Sequence, residues 1–301
     1  MPFSFGPSAM MYATIQFLNG LSYGLSLFLV AAGLSIIFGV LRVLNFAHGT
    51  FYMLGGYVAY EAVSRLGLAN GGFWVAVAVS GLVLAALAAV IERLMLRKLY
   101  ERDEIYQLLF TFALVLLISD VIRGLWGTQV LSISFPPELR GAQDVGLAFY
   151  PRYRLFLCLV GVAVAIGIWF VFQRTRWGRI IRAATQDREI LGALGVNVPR
   201  VYLVVFSAGA ALAGIGGALA APALALKPGM DAEIIVECFI VVIIGGLGSL
   251  WGAFIGALLI GQLRSIGLYF VPEWEIVLVY LLMVAVLVFR PWGLLGKREG
   301  A

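Results

Sequence analysis

Few side chains in this sequence could do bond chemistry. His48 is the only histidine, which excludes multi-histidine metal sites. Cys158 and Cys238 are the only cysteines. Both sit in apolar runs and read as small buried hydrophobes, not as a disulfide or a metal pair. No nucleophile has a positioned base and no metal-ligand spacing appears, so neither an enzyme nor a cofactor is expected. Ionisable residues inside apolar runs are functional candidates by default, and here they are few. Asp120 and Arg123 read as an ion pair near one end of their run, and Glu61 and Arg65 as another at i, i+4 spacing. Glu237 lies near the start of a short apolar helix, where it could reach water. Nothing resembles a proton relay or a ring of carboxylates. In Asn45-Phe46-Ala47-His48-Gly49, the two polar side chains flank the start of a span. They read either as a cap and a helix–helix hydrogen bond, with Asn45 capping a helix near Gly49, or as part of a polar path.

The elements that must position these groups follow from composition. Of 301 residues, 62% are hydrophobic and 12% charged, with a mean hydropathy of +1.00. Soluble domains average about 25% charged residues, so this chain needs lipid as its solvent. The net charge of +5 sits in loops between apolar runs, the membrane pattern and not a nucleic-acid one. No secretory signal is expected: the first residues lack a basic region, and the apolar run after them is too long.

A bilayer core of about 30 Å takes roughly 20 helical residues. Segments at about 49–66, 73–97, 105–126, 153–173 and 201–222 fit simply, and a shorter one spans about 274–290. The run 14–41 is long for one crossing, and its glycines (Gly20, Gly24, Gly33, Gly39) leave open whether it breaks. Three basic clusters belong in the cytoplasm: Arg93, Arg97, Lys98 and Arg102; Arg174 through Arg182 with Arg188 and Arg200; and Arg290, Lys297 and Arg298. The loop 127–152 is then external. A single crossing over 233–267 would leave the basic C-terminus outside, so this run is expected to divide into a helix of about 233–246, a break at Gly245-Gly246-Leu247-Gly248-Ser249, and a return over about 250–267. One long tilted helix is the alternative. Irregular backbone at membrane depth survives where it is buried in protein or lines a wet cavity, which makes the break a place to look for a substrate path. The fold class expected is all-α: a polytopic membrane protein of about eight membrane segments, including the short broken helix near 233–248, in one domain over 1–301.

Two small-residue stripes, Gly245/Gly248/Gly252/Gly256 and Gly209/Ala213/Gly217/Ala221, serve close helix approach, either within the chain or at a seam with a second subunit. The cytoplasmic loop 174–200 contains a predicted amphipathic helix over Ala183–Asn197 closed by Gly195. Its apolar end (Ile190, Leu191, Leu194) suits docking in a groove of a soluble partner or lying on lipid.

Asn45-Phe46-Ala47-His48-Gly49-Thr50-Phe51-Tyr52-Met53-Leu54-Gly55-Gly56-Tyr57, Trp177-Gly178-Arg179 with Arg182-Ala183, Gly195-Val196-Asn197, Gly245-Gly246-Leu247-Gly248-Ser249 with Gly252-Ala253 and Gly256, and Arg290-Pro291-Trp292-Gly293-Leu294-Leu295-Gly296 together resemble the smaller, H-type permease of branched-chain amino acid ABC importers. The match runs in order along nearly the whole chain. It implies a multi-pass protein of the bacterial plasma (inner) membrane. It also implies four kinds of partner: a second homologous permease, two ATP-binding subunits, an extracytoplasmic solute-binding protein and the lipid bilayer. No nucleic acid is among them. The resemblance makes Arg179, Arg182, Gln186, Asp187, Glu189, Leu191, Leu194 and Gly195 the ATPase-coupling residues. Asn45, His48, Gly245, Gly246, Gly248 and Ser249 are the residues proposed for the translocation path. Substrates expected are branched-chain amino acids, with urea, short amides or aromatic acids as alternatives. An ion-coupled secondary transporter acting without ATPase subunits is the rival class. A channel-like pore fits less well, since no selectivity-filter pattern appears.

Overall fold

The computed structural model describes residues 7–67, 71–146 and 148–296, without the side chains of residues 7–9 and Arg188. Lys297 and Arg298, of the C-terminal basic cluster, therefore lie outside the described residues. The described residues form eleven α-helices: α1 (Pro7–Leu41), α2 (Ala47–Leu66), α3 (Gly72–Leu94), α4 (Glu104–Trp126), α5 (Arg152–Arg174), α6 (Arg176–Gln186), α7 (Arg188–Ala193), α8 (Val198–Ala220), α9 (Met230–Gly245), α10 (Leu250–Phe270) and α11 (Glu275–Phe289). Seven of them (α1, α3, α4, α5, α8, α10 and α11) are long and apolar enough to cross a membrane. The shorter α9 and the glycine- and tyrosine-bearing α2 complete the bundle. The chain is a polytopic all-α membrane protein. A small antiparallel pair, β1 (Ala142–Asp144) and β2 (Phe149–Pro151), with Gln143 opposite Tyr150, folds the loop between α4 and α5.

The ambiguous run 14–41 is one continuous helix. At 1.5 Å per residue α1 extends for about 50 Å, so it tilts or projects beyond the hydrocarbon. Its glycines are points of close approach, not breaks. A Cβ at Gly24 would come 2.7 Å from the Ala257 carbonyl, one at Gly33 2.6 Å from the Gly209 carbonyl, and one at Gly39 3.1 Å from the Gly248 Cα. These contacts seat α10 and α8 directly on α1. The Gly209/Gly217 and Gly245/Gly252 stripes likewise pack inside this chain: Gly209 lies against Ile37, Gly217 against the Tyr52 carbonyl, and Gly252 against Gly245. Most of α1 is consequently buried, whereas α11 buries Val279 alone among its described side chains.

The run 233–267 divides as the charge argument requires, into α9, a turn and α10. The turn sits at the end of the bundle where α1 stops, not at mid-depth. Gly248 packs on Gly39, two residues before α1 ends. The segment after α11 seals the turn from the other side, with Leu294 N–H donating to the Ile244 carbonyl (2.8 Å) and Leu295 N–H to that of Gly245 (3.0 Å). The Arg290–Gly296 motif thus has a structural role, satisfying carbonyls that the end of α9 leaves open.

Candidate functional site

At the inner end, loop 174–200 is built differently from the single helix expected over 183–197. Helix α6 starts earlier, where the Thr175 hydroxyl accepts from the Gly178 N–H (3.1 Å). It stops at Asp187, whose backbone is extended. The Asp187 carboxylate then caps α7 by accepting from Glu189 N–H (2.8 Å) and Ile190 N–H (3.0 Å). An Asp with free peptide donors beyond it favours this local arrangement over continued helix. Helix α7 ends in a Schellman turn: Gly195 has φ +83°, its N–H reaches the Gly192 carbonyl (3.0 Å), and Val196 N–H reaches that of Leu191 (3.3 Å).

The side chains of this segment divide into two sets. Gly178, Ile181, Ala184 and Leu191 are buried, while Leu194 is 76% and Ile190 60% exposed. Leu191, unlike Ile190 and Leu194, is buried within the chain and anchors the segment. Arg179, Gln186, Asp187 and Glu189 are exposed; Arg182 is half-buried and donates to the Phe172 carbonyl. Gln186, Asp187 and Glu189 line a polar cleft of about 620 Å³ together with Arg42, Tyr100 and Gln107. Arg42, directly after α1, is the one non-glycine described residue with positive φ, +55°. Behind the cleft, the fully buried Glu92 accepts from Arg97 Nη2 (3.0 Å) and from the Tyr100 hydroxyl (3.3 Å), and Arg97 also donates to the Pro199 carbonyl (3.3 Å). Burial and the Glu92 charge push the Tyr100 phenol up, so it stays a donor. This bracket joins the end of α3 to the start of α8.

A second cavity, of about 360 Å³, opens near the opposite ends of the helices. That lies within the roughly 300–1,000 Å³ range of small-molecule sites. Its wall is mainly apolar, including Leu27, Leu157 and Leu268. Its polar part is an ion cluster at the meeting of four helices. Arg264 on α10 pairs with Glu237 on α9 and with Glu275 at the start of α11, and it contacts the Tyr23 hydroxyl of α1, which itself donates to Glu237. The guanidinium carbon also stands 4.6 Å above the Tyr23 ring. Glu237 does not simply reach water, as its position near a helix start suggested. The expected Asp120–Arg123 pair (3.2 Å) and Glu61–Arg65 pair (2.6 Å) form as read, both on the surface.

Between the two ends, buried polar groups sit in and just before the first turns of α2; His48 and Tyr52, four apart, share one face, and Thr50 points to another. Tyr52 lines the outer cavity. Thr50 donates to Asp231 Oδ2 (3.1 Å), which also accepts from Ser119 (3.2 Å). His48 Nε2 meets the Val30 carbonyl at 2.9 Å. Asn45 is fully buried and does not cap α2, which begins at Ala47 without a side-chain cap. Both Asn45 side-chain atoms and His48 Nδ1 lack a hydrogen-bond partner among the described residues. Gly245, Gly246 and Gly248 are in backbone contact with Gly252, Gly296 and Gly39 respectively, and Ser249 caps α10 by accepting from Gly252 N–H (3.1 Å). These four line neither cavity.

Sequence reasoning missed Arg264, Glu275, Asp231 and Glu92 as interior ionisable groups. Arg264 offered a signal, a cation near the end of an apolar run. Its partners on α1, α9 and α11 are tertiary neighbours with no fixed sequence spacing.

Comparison with known proteins adds a separate line. Residues 16–287 match the family model described as branched-chain amino acid transport system / permease component. The chain is 28% identical over 297 residues to the high-affinity branched-chain amino acid transport system permease protein BraD of Pseudomonas aeruginosa, covering 94% of this chain and 96% of that one. It is 27% identical to LivH of Escherichia coli over 96% of this chain and 97% of that one. It is 26% identical to the Escherichia coli permease LivM over 89% of this chain and 67% of that one. No solved structure matches it.

Proposed function

The chain belongs to the branched-chain amino acid transport system permease component family, a multi-pass transport subunit, and on that premise we propose that it forms half of the translocation path of an ATP-driven importer. The other half would be a second, homologous permease. Two ATP-binding subunits would drive the pair, and an extracytoplasmic binding protein would deliver branched-chain amino acids. The similarity to both LivH and LivM, two permeases named for one transport system, supports the paired arrangement.

The observation that carries the reading is the construction of 174–200. Ile190 and Leu194 project from a segment that is capped at both ends and anchored through Leu191 and Ile181. A rigid apolar tip on a braced stem can transmit a displacement. A partner whose ATP-bound and ATP-free states hold that tip differently would bias the permease between inward- and outward-facing arrangements. The tip lies beside the cleft that contains Arg42 at the end of α1, and α1 runs from there to the outer cavity. Solute would pass from that cavity along the Tyr52–His48 face of α2 towards Asn45, just before the helix. The Gly245–Ser249 turn, sealed by Gly39 and Gly296, would close the inner end.

The buried carboxylate Asp231 and the half-buried Glu237 give the ion-coupled alternative its specific support. The test is ATP hydrolysis by the chain purified with its genomic neighbours in lipid. Leucine with the binding protein should stimulate it severalfold. Uptake by the chain alone, abolished by a protonophore and indifferent to ATP, would overturn the proposal. Stimulation by urea, an amide or an aromatic acid in place of leucine would reassign the substrate and keep the mechanism.

A further inference from the structure

The outer cavity has two charged poles of opposite sign. At one, Glu237 and Glu275 both pair with Arg264. Two carboxylates against one guanidinium leave one negative charge unmatched within the cluster. At the other, Arg154 on α5 lines the same cavity. Its Nη1 donates to the Asn19 amide oxygen (2.6 Å), and it forms no salt bridge among the described residues. The Asn19 oxygen also accepts from the Tyr150 hydroxyl (3.0 Å), so the side chain that holds Arg154 is itself held. Glu233, which also lines the cavity, is paired with Lys227, so what is left is a guanidinium without a carboxylate and a cluster with one carboxylate too many, both lining one cavity.

The spacing of the two poles is set by α1. Asn19 orients Arg154, and Tyr23 binds both Glu237 and Arg264. Residues four apart share one helix face, with about 5–6 Å between their Cβ atoms. The two poles therefore hang from adjacent turns of the same face. Beside them lies the apolar wall of Leu27, Leu157 and Leu268.

We propose that this cavity binds the zwitterionic head of an α-amino acid, with its carboxylate on Arg154 and its ammonium on the surplus carboxylate of the Glu237–Arg264–Glu275 cluster, and its aliphatic side chain on the leucine wall. Binding then completes both pairings at once. The site rests on the reading of the chain as an amino-acid permease, and it makes this subunit a second point of selection after the binding protein. Guanidinium and carboxylate bound in a fork are a strong, directional pair. A neutral solute such as urea would form no ion pair at either pole.

The experiment measures binding of radiolabelled L-leucine to the full-length chain in lipid nanodiscs, competed with leucinol, which lacks the carboxylate, and 4-methylpentanoate, which lacks the ammonium. Each missing charge-assisted contact is expected to weaken competition by roughly tenfold or more. Arg154→Gln should cost leucine about the same factor while leaving leucinol unchanged, and Arg154→Lys should recover part of it. Glu237→Gln should erase the advantage of leucine over 4-methylpentanoate. Leu157→Trp, which fills the cavity from its apolar wall, should block binding; circular dichroism and size exclusion verify that each variant is folded. Equal competition by all three ligands, or wild-type binding in Arg154→Gln and Glu237→Gln, overturns the site. If the assembled transporter takes up leucine while the chain shows no such discrimination, the site falls and the permease assignment stands. If leucine neither stimulates the assembled transporter nor binds the chain, the site falls together with the amino-acid reading on which it rests.

Discussion

Single buried polar residues carry much of the stability here, because lipid offers them no alternative partner. Glu92 is 0% exposed and is matched by Arg97 and Tyr100. Removing one member of such a pair leaves an uncompensated buried charge, which costs about 3–5 kcal/mol. Arg97→Ala should therefore lower the unfolding midpoint in detergent clearly, whereas the surface change Asp120→Ala should leave it within a degree or two. A double change of Glu92→Gln and Arg97→Ala should recover part of the loss, and thermal melts of the three proteins decide it. Asp231 tests the same principle without a cationic partner. Asp231→Asn keeps an oxygen for Thr50 and Ser119 and should be tolerated, while Asp231→Ala strands two buried hydroxyls and should cost about 1–3 kcal/mol. None of this was readable from sequence. Glu92 stands among basic residues at a helix end and looks like any interfacial charge, and Asp231 precedes an apolar run in the manner of a helix-starting acid. Their burial depends on which neighbours α2, α4 and α8 bring, and that information is long-range.

At the scale of elements, boundaries with a local cause were legible and directions without one were not. The break at Gly245–Ser249 followed from glycines combined with charge parity, and α9 and α10 end within a few residues of the expected positions. Its depth was not legible, because depth is set by contacts with Gly39 and Gly296. Likewise Gly195 was readable as a helix stop, but a helix of six residues leaves open which of Ile190, Leu191 and Leu194 turns inward. The structure makes the division testable. Leu191→Ala should destabilise the chain by about 2–5 kcal/mol, as core truncations do. Leu194→Ala should leave the melt unchanged and reduce co-purification of the ATP-binding subunit. Equal behaviour of the two would remove the distinction between stem and tip. For the cap, Gly195→Ala forces a Cβ into the left-handed region at roughly 1–2 kcal/mol and should impair uptake partly. Gly195→Pro cannot reach φ +83°, since its ring fixes φ near about −65°, and it also lacks the N–H that closes the turn. Uptake should be lost with membrane content normal, and Glu189→Arg, which reverses an exposed charge on the same turn, should do the same. Normal uptake in both would remove the coupling role.

The direction of the entire bundle hangs on one element. Because α1 is a single helix, residues near Tyr12 lie across the membrane from Arg42, and every later helix alternates from there. The inner assignment of Arg42 follows from the positive-inside rule applied to loop 174–200, the densest basic loop of the chain, because Arg42 shares the polar cleft with its Gln186 and Asp187. The outer assignment of Tyr12 follows, and with it the outward opening of the cavity beside Asn19 and Tyr23. Had the run 14–41 been broken, the first residues would return to the cytoplasmic side and the cavity would lose its α1 wall. Cysteine labelling in intact cells separates these cases. Cys158 and Cys238 are both buried, so the native background should be low. Gln143→Cys, in the exposed hairpin of the external loop, and Tyr12→Cys, 49% exposed, should both react with a membrane-impermeant maleimide. Arg179→Cys should react only after permeabilisation. Tyr12→Cys labelling together with Arg179→Cys, and not with Gln143→Cys, would reverse the sense of α1 and move the solute's first contact to the other side of the membrane.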